Sequence, residues 1–220
     1  MKNLAPGVWR LKELPRPLIN VYLVEDALID AGRRWDRRRI FDEIEGREIS
    51  LLALTHVHPD HQGVAADVCE ARDIPLACHE ADVDAMEGRR PVAATQNPLA
   101  KAFARLWQGP PHKVSRVLRE GDEVAGFRVI HAPGHAPGEV IFFRESDRVA
   151  ICGDVIRNIT YLTLRTRLAE PPGDLTPDPA ENRRSIRKLA DLNPALILPG
   201  HGPAVTDIAA FERFVSRLPS

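Results

Sequence analysis

The chain has 220 residues, of which 44% are hydrophobic and 28% charged, as is usual for globular proteins. The net charge of -1 and the sequence pI near 6.7 indicate no attraction to nucleic acid or to a membrane surface. No apolar stretch approaches the length of a bilayer span, and residues 1–7 lack the apolar core of a signal peptide. We therefore expect a soluble cytoplasmic protein that has no nucleic-acid or membrane partner.

The length suffices for one large hydrophobic core, and no linker or repeat divides the chain, so we expect a single domain over residues 1–220. The three cysteines, Cys69, Cys78 and Cys152, show no pairing pattern, which is typical of a reducing compartment.

The N-terminal part of the chain predicts short strands and one helix. Apolar runs indicate strands at residues 8–11, 19–24 and 27–30, and the two residues between the last two runs predict a tight hairpin. Residues 33–44 have apolar side chains at helical spacing among five arginines. These arginines predict a solvated helix face, with an anion site as the alternative.

A run of four side chains that commonly bind metals follows the next predicted strand, at residues 49–54. The run is His56, His58, Asp60 and His61, and it leads into a predicted helix at residues 64–71. Alternate side chains of an extended segment point the same way, so His56 and His58 can bind one metal ion together. Asp60 and His61, which we expect at the start of the helix, can turn towards a second ion. The alternative is a helix cap at Asp60 beside exposed histidines.

The middle of the chain begins with a predicted strand at residues 74–78 and a short helix at 79–86. For His79, at the junction, we expect a packing or capping role. Residues 88–111 contain four prolines and a helical segment at 99–107. This segment predicts an insert that either covers the site or packs elsewhere on the surface.

The C-terminal half predicts five short strands, at residues 114–118, 122–124, 127–131, 139–144 and 148–152. An irregular stretch follows at 157–172. A helix capped by Asp178 is predicted from Pro179 to Leu192, then a strand at 195–198 and a helix at 208–218 capped by Thr206.

The run from His56 to His61 resembles the His-x-His-x-Asp-His signature of the metallo-β-lactamase superfamily of metallohydrolases. Three further blocks follow in that family's order: Pro133-Gly134-His135, Asp154 after an apolar strand, and Gly200-His201-Gly202. The resemblance covers almost the whole chain. It implies an α/β fold, a four-layer αβ/βα sandwich of two mixed β-sheets with helices on the outer faces.

The resemblance also implies the roles of individual residues. The first metal ion would be bound by His56, His58 and His135, the second by Asp60, His61 and His201, and Asp154 would bridge them. Asp30 resembles the family's supporting aspartate, with a turn-capping carboxylate as the alternative. Tyr161 resembles an oxyanion donor of lactone-hydrolysing relatives, with simple packing as the alternative, and Arg157, Arg165 or Arg167 could bind an anionic group.

The resemblance implies a dinuclear metallohydrolase with two divalent ions. Zinc is the expected metal, and iron and manganese are the alternatives. A metal-bridging hydroxide, with Asp60 orienting it or returning a proton, would cleave an ester-type bond of a small molecule, such as a glyoxalase II-like thioester or a lactone. The alternatives are a mononuclear iron enzyme like the persulfide dioxygenases, a phosphodiesterase or β-lactam hydrolase of the superfamily, and a non-catalytic metal sensor. We expect a monomer or a homodimer.

Overall fold

The computed structural model describes residues 1–13, 17–92 and 98–219, and its strands form two sheets. The first sheet has seven strands in the order β1 (Lys2–Ala5), β2 (Val8–Arg10), β3 (Tyr22–Val24), β4 (Ala27–Ile29), β5 (Leu51–Ala53), β6 (Leu76–His79) and β7 (Arg116–Leu118). Neighbours pair antiparallel from β1 to β4 and parallel from β4 to β7. The first sheet is therefore mixed.

The second sheet is formed by the C-terminal half of the chain. Its strands are β8 (Glu123–Val124), β9 (Phe127–His131), β10 (Val140–Arg144), β11 (Val149–Gly153) and β12 (Leu196–Pro199), in the order β12-β11-β10-β9-β8. Only the β11–β12 pair is parallel among these described strands, so this sheet is also mixed.

The helices lie on the outer faces of the two sheets. They are α1 (Arg37–Glu43), α2 (Ala65–Arg72), α3 (Val83–Met86), α4 (Pro98–Trp107), α5 (Pro179–Asp191) and α6 (Ile208–Val215). One buried cluster joins the first sheet to α1, α2 and α3, a second lies between the sheets, and a third joins the second sheet to α5 and α6. Three apolar interfaces separate four layers, which confirms the predicted sandwich.

Several predicted element boundaries are wrong. Strand β1 was not predicted. The helix expected over residues 33–44 begins as a 3₁₀ turn, Arg34–Asp36, before α1. Helix α2 begins only at Ala65, so His61 lies in the preceding turn. Helix α6 is capped by Asp207, which accepts a hydrogen bond from the Ala210 N–H, and not by Thr206. Either side chain can cap a helix, and the backbone position decides which one does.

The N-terminus of α5 follows the chemistry of the sequence closely. Asp178 caps α5 as predicted, because its Oδ1 accepts the Glu181 N–H at 2.9 Å. The predicted insert at residues 88–111 contains α4 and also residues 93–97, which lie outside the described residues. Among the described residues, every helix is too short or too polar to span a bilayer.

Candidate metal centre

The seven predicted ligand residues lie in loops that follow the carboxyl ends of strands β5, β9, β11 and β12. The structure brings all seven together, although no more than four come from one segment. Their possible ligand atoms form three groups, each with all its atoms within 4.8 Å: His56/His58/His135, His56/His61/Asp154, and Asp60/His61/His201. Because the groups share residues, they form one continuous centre.

Several buried polar atoms at this centre have no hydrogen-bond partner among the described residues. They are the Nε2 atoms of His56, His61 and His135 and the Oδ1 atom of Asp154. Buried polar atoms in folded proteins are nearly always satisfied, and one missing bond costs about 1–3 kcal/mol. Four such atoms that converge on one point fit metal ligands, so the donor set fits divalent cations.

The opposite ring nitrogens of these histidines are engaged, and this fixes how each ring is oriented. The Nδ1 of His61 donates to Asp30 Oδ2 at 2.9 Å, and the Nδ1 of His201 donates to the Leu18 carbonyl at 2.5 Å. The Nδ1 of His135 lies 3.2 Å from the Thr176 hydroxyl, which itself donates to Pro172. Each bond leaves the Nε2 lone pair directed into the centre, as second-shell partners do at metal sites.

The ring of His56 is held by two neighbours. Its Nδ1 lies 3.1 Å from Thr55 Oγ1, whose proton goes to Asp30, and 3.3 Å from Glu139 Oε2. Asp30 thus supports His61 directly and His56 through Thr55, from a left-handed backbone conformation with φ of +63°. The structure therefore places Asp30 in the supporting role rather than in the turn-capping one.

Three buried carboxylates give the centre its charge: Asp30, Glu139 and Asp154. Among the described residues, no lysine or arginine forms an ion pair with any of them. Burial raises the pKa of Glu139, and nearby Asp154 raises it further. Burial also disfavours the charged form of Asp154, but His201 and His61 outweigh it and hold its pKa well below the ordinary value. Buried charges of this kind are stable when they are paired or bind metals.

The loops of the centre are connected to one another by further buried groups. Asp82 accepts the N–H groups of Val57 and Gly138, which lie in two different ligand loops, at 2.9 and 3.1 Å. The Asn20 amide donates to the carbonyls of Pro199 and Gly202 and so fixes the turn that carries His201.

Gly200, in the same turn, permits the closest approach of backbone to ligands. A Cβ on this residue would lie 2.3 Å from Asp154 Oδ1 and 2.7 Å from His61 Cε1. No side chain fits there without moving two predicted ligands, so the turn requires glycine.

Sequence reasoning missed Glu139, Asp82 and Thr176. Glu139 could have been found, because it directly precedes the apolar strand β10. A carboxylate next to such a strand is buried only when it has a partner. Nothing local to Asp82 or Thr176 distinguishes them from surface residues.

The family model described as the metallo-β-lactamase superfamily matches residues 14–201, which include all seven converging side chains. The chain belongs to this superfamily. It is 29% identical to the probable metallo-hydrolase YflN of Bacillus subtilis, over 86% of this chain and 82% of the relative. It is 28% identical to the hydroxyacylglutathione hydrolase GloC of Haemophilus influenzae, over 82% of this chain and 81% of the relative.

Solved structures of the superfamily share the fold. TTHA1623, solved in a di-iron-bound form, is 32% identical, with 86% of this chain and 93% of that chain covered and a TM-score of 0.63. The family protein TTHA1429 from Thermus thermophilus superposes with a TM-score of 0.70 over 97% of this chain and 80% of that chain, at 24% identity. The second comparison shows the fold alone.

A cleft of about 410 Å³ opens above the centre. Its floor contains His58, Asp60, His135, Asp154 and His201. Its walls are largely apolar and include Leu18, Ile19, Trp107, Tyr161, Leu164 and Leu175. Trp107 is the last residue of α4, so the end of the predicted insert reaches the cleft.

Tyr161 stands at the edge of the centre, with its ring centroid 5.5 Å from that of His201. Loss of water around the phenol raises its pKa, and Asp154 and Asp60 raise it further, so the hydroxyl stays protonated and can donate. Arg157 lies over the tyrosine ring at 5.1 Å and donates to the carbonyls of Ile159 and Glu170. Arg157 thus stabilises the loop and does not line the cleft. Among the described residues that line the cleft, the arginine is Arg33.

His79 lies outside the centre. Its Nδ1 accepts the Ala81 N–H at 3.2 Å, and its ring stacks on His131 with centroids 4.0 Å apart. Both contacts agree with the packing and capping role predicted for it.

Proposed function

We propose that the chain is a dinuclear metallohydrolase, with two zinc ions as its cofactor, that cleaves an ester-type bond such as a thioester or a lactone in a small molecule. The supporting observation is the convergence of seven His and Asp side chains in overlapping groups, five of which line the floor of one cleft. His56, His58 and His135 would bind one ion and Asp60, His61 and His201 the other, with Asp154 between them.

The bound ions would supply a Lewis acid for the substrate oxygen and a water whose pKa is lowered to about 7. The protein holds the ligand rings in place through Asp30, Thr55 and Thr176, so that little reorganisation accompanies the reaction. Asp60 Oδ2 lies 3.5 Å from His201 Nε2 at the cleft floor, from where its carboxylate can pass a proton to the leaving group. Tyr161 donates a hydrogen bond from its hydroxyl to the oxyanion that develops on the substrate.

The substrate class rests on the cleft and on one relative. The walls are apolar and the volume suits a small molecule rather than a polymer. GloC, which is named a hydroxyacylglutathione hydrolase, acts on a thioester by that name. The ligand set accepts zinc, and also iron, as the di-iron form of TTHA1623 illustrates for that protein.

A substrate panel with the purified protein tests the proposal. Thioesters, lactones, aryl esters, phosphodiesters and β-lactams are assayed before and after treatment with a chelator, and again after zinc, iron or manganese is restored. We expect turnover of an ester-type member, loss with the chelator and recovery with metal. Oxygen uptake with a persulfide instead of ester cleavage, or no turnover with any restored metal, would contradict it.

A further inference from the structure

Arg33 lines the cleft together with Asp60, Asp154 and His201, although its position predicted a solvated face. Its side chain is only 19% exposed, whereas that of Arg38, in the same arginine-rich stretch, is 94% exposed. We propose that Arg33 binds an anionic group, a carboxylate or a phosphate, that the substrate carries away from the scissile bond. This inference rests on the proposed hydrolase function, because it assigns one end of the substrate in the same cleft.

Two carboxylates hold the guanidinium of Arg33 in position. Its Nε and Nη2 donate to Asp36 at 2.9 and 3.1 Å, and Nη2 also donates to Glu13 at 3.2 Å. These bonds use Nε and both N–H groups of Nη2, which leaves Nη1 as the remaining donor. Nη1 makes no hydrogen bond to the described residues, so its two N–H groups can donate to an oxygen of a carboxylate or phosphate.

A second arginine offsets the carboxylates that hold Arg33. Asp36 also pairs with Arg39, at 3.4 Å, so two arginines face the two carboxylates Glu13 and Asp36. The two carboxylates that hold Arg33 are thus matched by two arginines, and the Arg33 charge also faces Asp60 at the cleft floor.

Aromatic rings surround the same guanidinium. Its central carbon lies 5.6 Å from the Trp35 ring and 5.8 Å from the Trp107 ring, and the two rings contact each other edge to face. Indole rings exclude water from one side of the cation, which strengthens its remaining hydrogen bonds.

The position of Arg33 is connected to that of the metal centre through Glu13. Glu13 Oε2 accepts the N–H groups of Leu18 and Ile19, both at 2.7 Å, and the Leu18 carbonyl accepts from the His201 Nδ1. Arg33 and the predicted ligand His201 are thus fixed on one short network. A fixed separation between donor and centre is what selects a substrate by the length between its ester and its anion.

Matched substrates separate anion recognition from a purely structural ion pair. Monophenyl esters of succinate, glutarate and adipate are compared with neutral phenyl ketoesters of the same length, in which a methyl ketone replaces the carboxylate. A phosphonate series ranks phosphate against carboxylate. Wild type is compared with Arg33→Met, with Arg33→Lys, which keeps the charge without the planar fork, and with Arg38→Met as the exposed control.

In wild type we expect the best anionic ester to exceed its neutral partner in kcat/KM by about 10- to 100-fold, mainly through KM. Arg33→Met should abolish this preference, because the rate on the anionic series falls to that on the neutral series while the metal content stays close to wild type. Its Tm should fall, since the buried side chains of Asp36 and Glu13 lose an ion-pair partner. Arg33→Lys should recover part of the preference, and Arg38→Met should behave as wild type.

Equal rates for both series in wild type would overturn the inference, as would an equal loss on both series in Arg33→Met. If no ester is hydrolysed, the proposed hydrolase function fails, but this result alone does not decide whether Arg33 binds an anion. Calorimetry with the corresponding anilides then still decides the role of Arg33, because tighter binding of the anionic anilides must disappear in Arg33→Met.

Discussion

The floor and the walls of the cleft differ in how they are built. The floor, defined by the seven predicted ligands, lies at strand ends, and its rings have buried partners such as Asp30 and Thr176. The walls, defined by Leu18, Ile19, Trp107, Tyr161, Leu164 and Leu175, come from loops and from the end of α4. Leu162, which follows Tyr161 in the same loop but does not line the cleft, is 97% exposed.

This difference indicates that the floor determines the chemistry and the walls determine the substrate specificity. A floor fixed by buried hydrogen bonds keeps the reacting groups in place, whereas loops with few buried contacts can change without loss of the fold. Substitutions in the floor should therefore abolish turnover, and substitutions in the walls should alter rate or preference more moderately.

The largest effect is expected from the floor itself. Asp154→Ala and His58→Ala should each reduce kcat/KM by about 10³-fold or more, because groups that act as a unit fail together. Circular dichroism should show an intact fold, since both residues lie in loops. His112→Ala, a histidine outside the three ligand groups, is the control, and full turnover in either floor variant would refute the assignment.

A smaller effect is expected from Tyr161, the wall residue whose ring packs edge to face on His201. Tyr161→Phe should lower kcat by about 10²-fold with little change in KM, as loss of one oxyanion donor does. Leu162→Ala, at the exposed neighbouring position, should leave kcat unchanged. An unaltered kcat in Tyr161→Phe would return this residue to a packing role.

The support behind the floor should act on metal binding rather than on chemistry. Glu139→Gln keeps the side-chain shape but weakens the contacts to His56 Nδ1 and to the Asp154 N–H. Metal affinity measured by competition with a chelator should fall by about 10- to 100-fold. Wild-type affinity in this variant would mean that Glu139 is only a packing group.

The smallest effect is expected outside floor and walls, at His79. Burial lowers the pKa of His79 to about 4, and His131 adds to the shift. The unfolded chain takes up this proton first, near pH 6.5, so the folded state loses stability as pH falls from about 6.5 to 4.

His79→Gln retains an acceptor for the Ala81 N–H and should flatten this acid dependence by about 1–3 kcal/mol in the metal-loaded protein. Denaturant unfolding across that pH window measures it, with His112→Gln as the control. A slope identical to wild type would contradict the assignment.

The floor could be predicted from sequence because its chemistry constrains short local patterns. Four ligand-type residues in six positions, and a histidine or aspartate directly after an apolar strand, are visible without knowledge of the fold. The two mixed sheets followed from the resemblance. The helix caps show the limit of such patterns. The prediction that Asp178 caps α5 was correct. At α6, Thr206 and Asp207 both offer a side-chain oxygen, and only the backbone conformation selects Asp207.

The walls and supports could not be predicted because they depend on contacts distant in sequence. Asp82 joins loops around Val57 and Gly138, and Arg33 reaches the cleft only because Glu13 and Asp36 hold it there. A helical pattern predicts which side chains share a face, but not which face meets a cleft.

Elemental analysis of the protein as purified, with metal content measured against protein concentration, tests the central claim most directly. Two divalent ions per chain in wild type, with a loss in Asp154→Ala and none in His112→Ala, is the result that the structure predicts. A wild-type chain that retains no transition metal even after dialysis against zinc would contradict it.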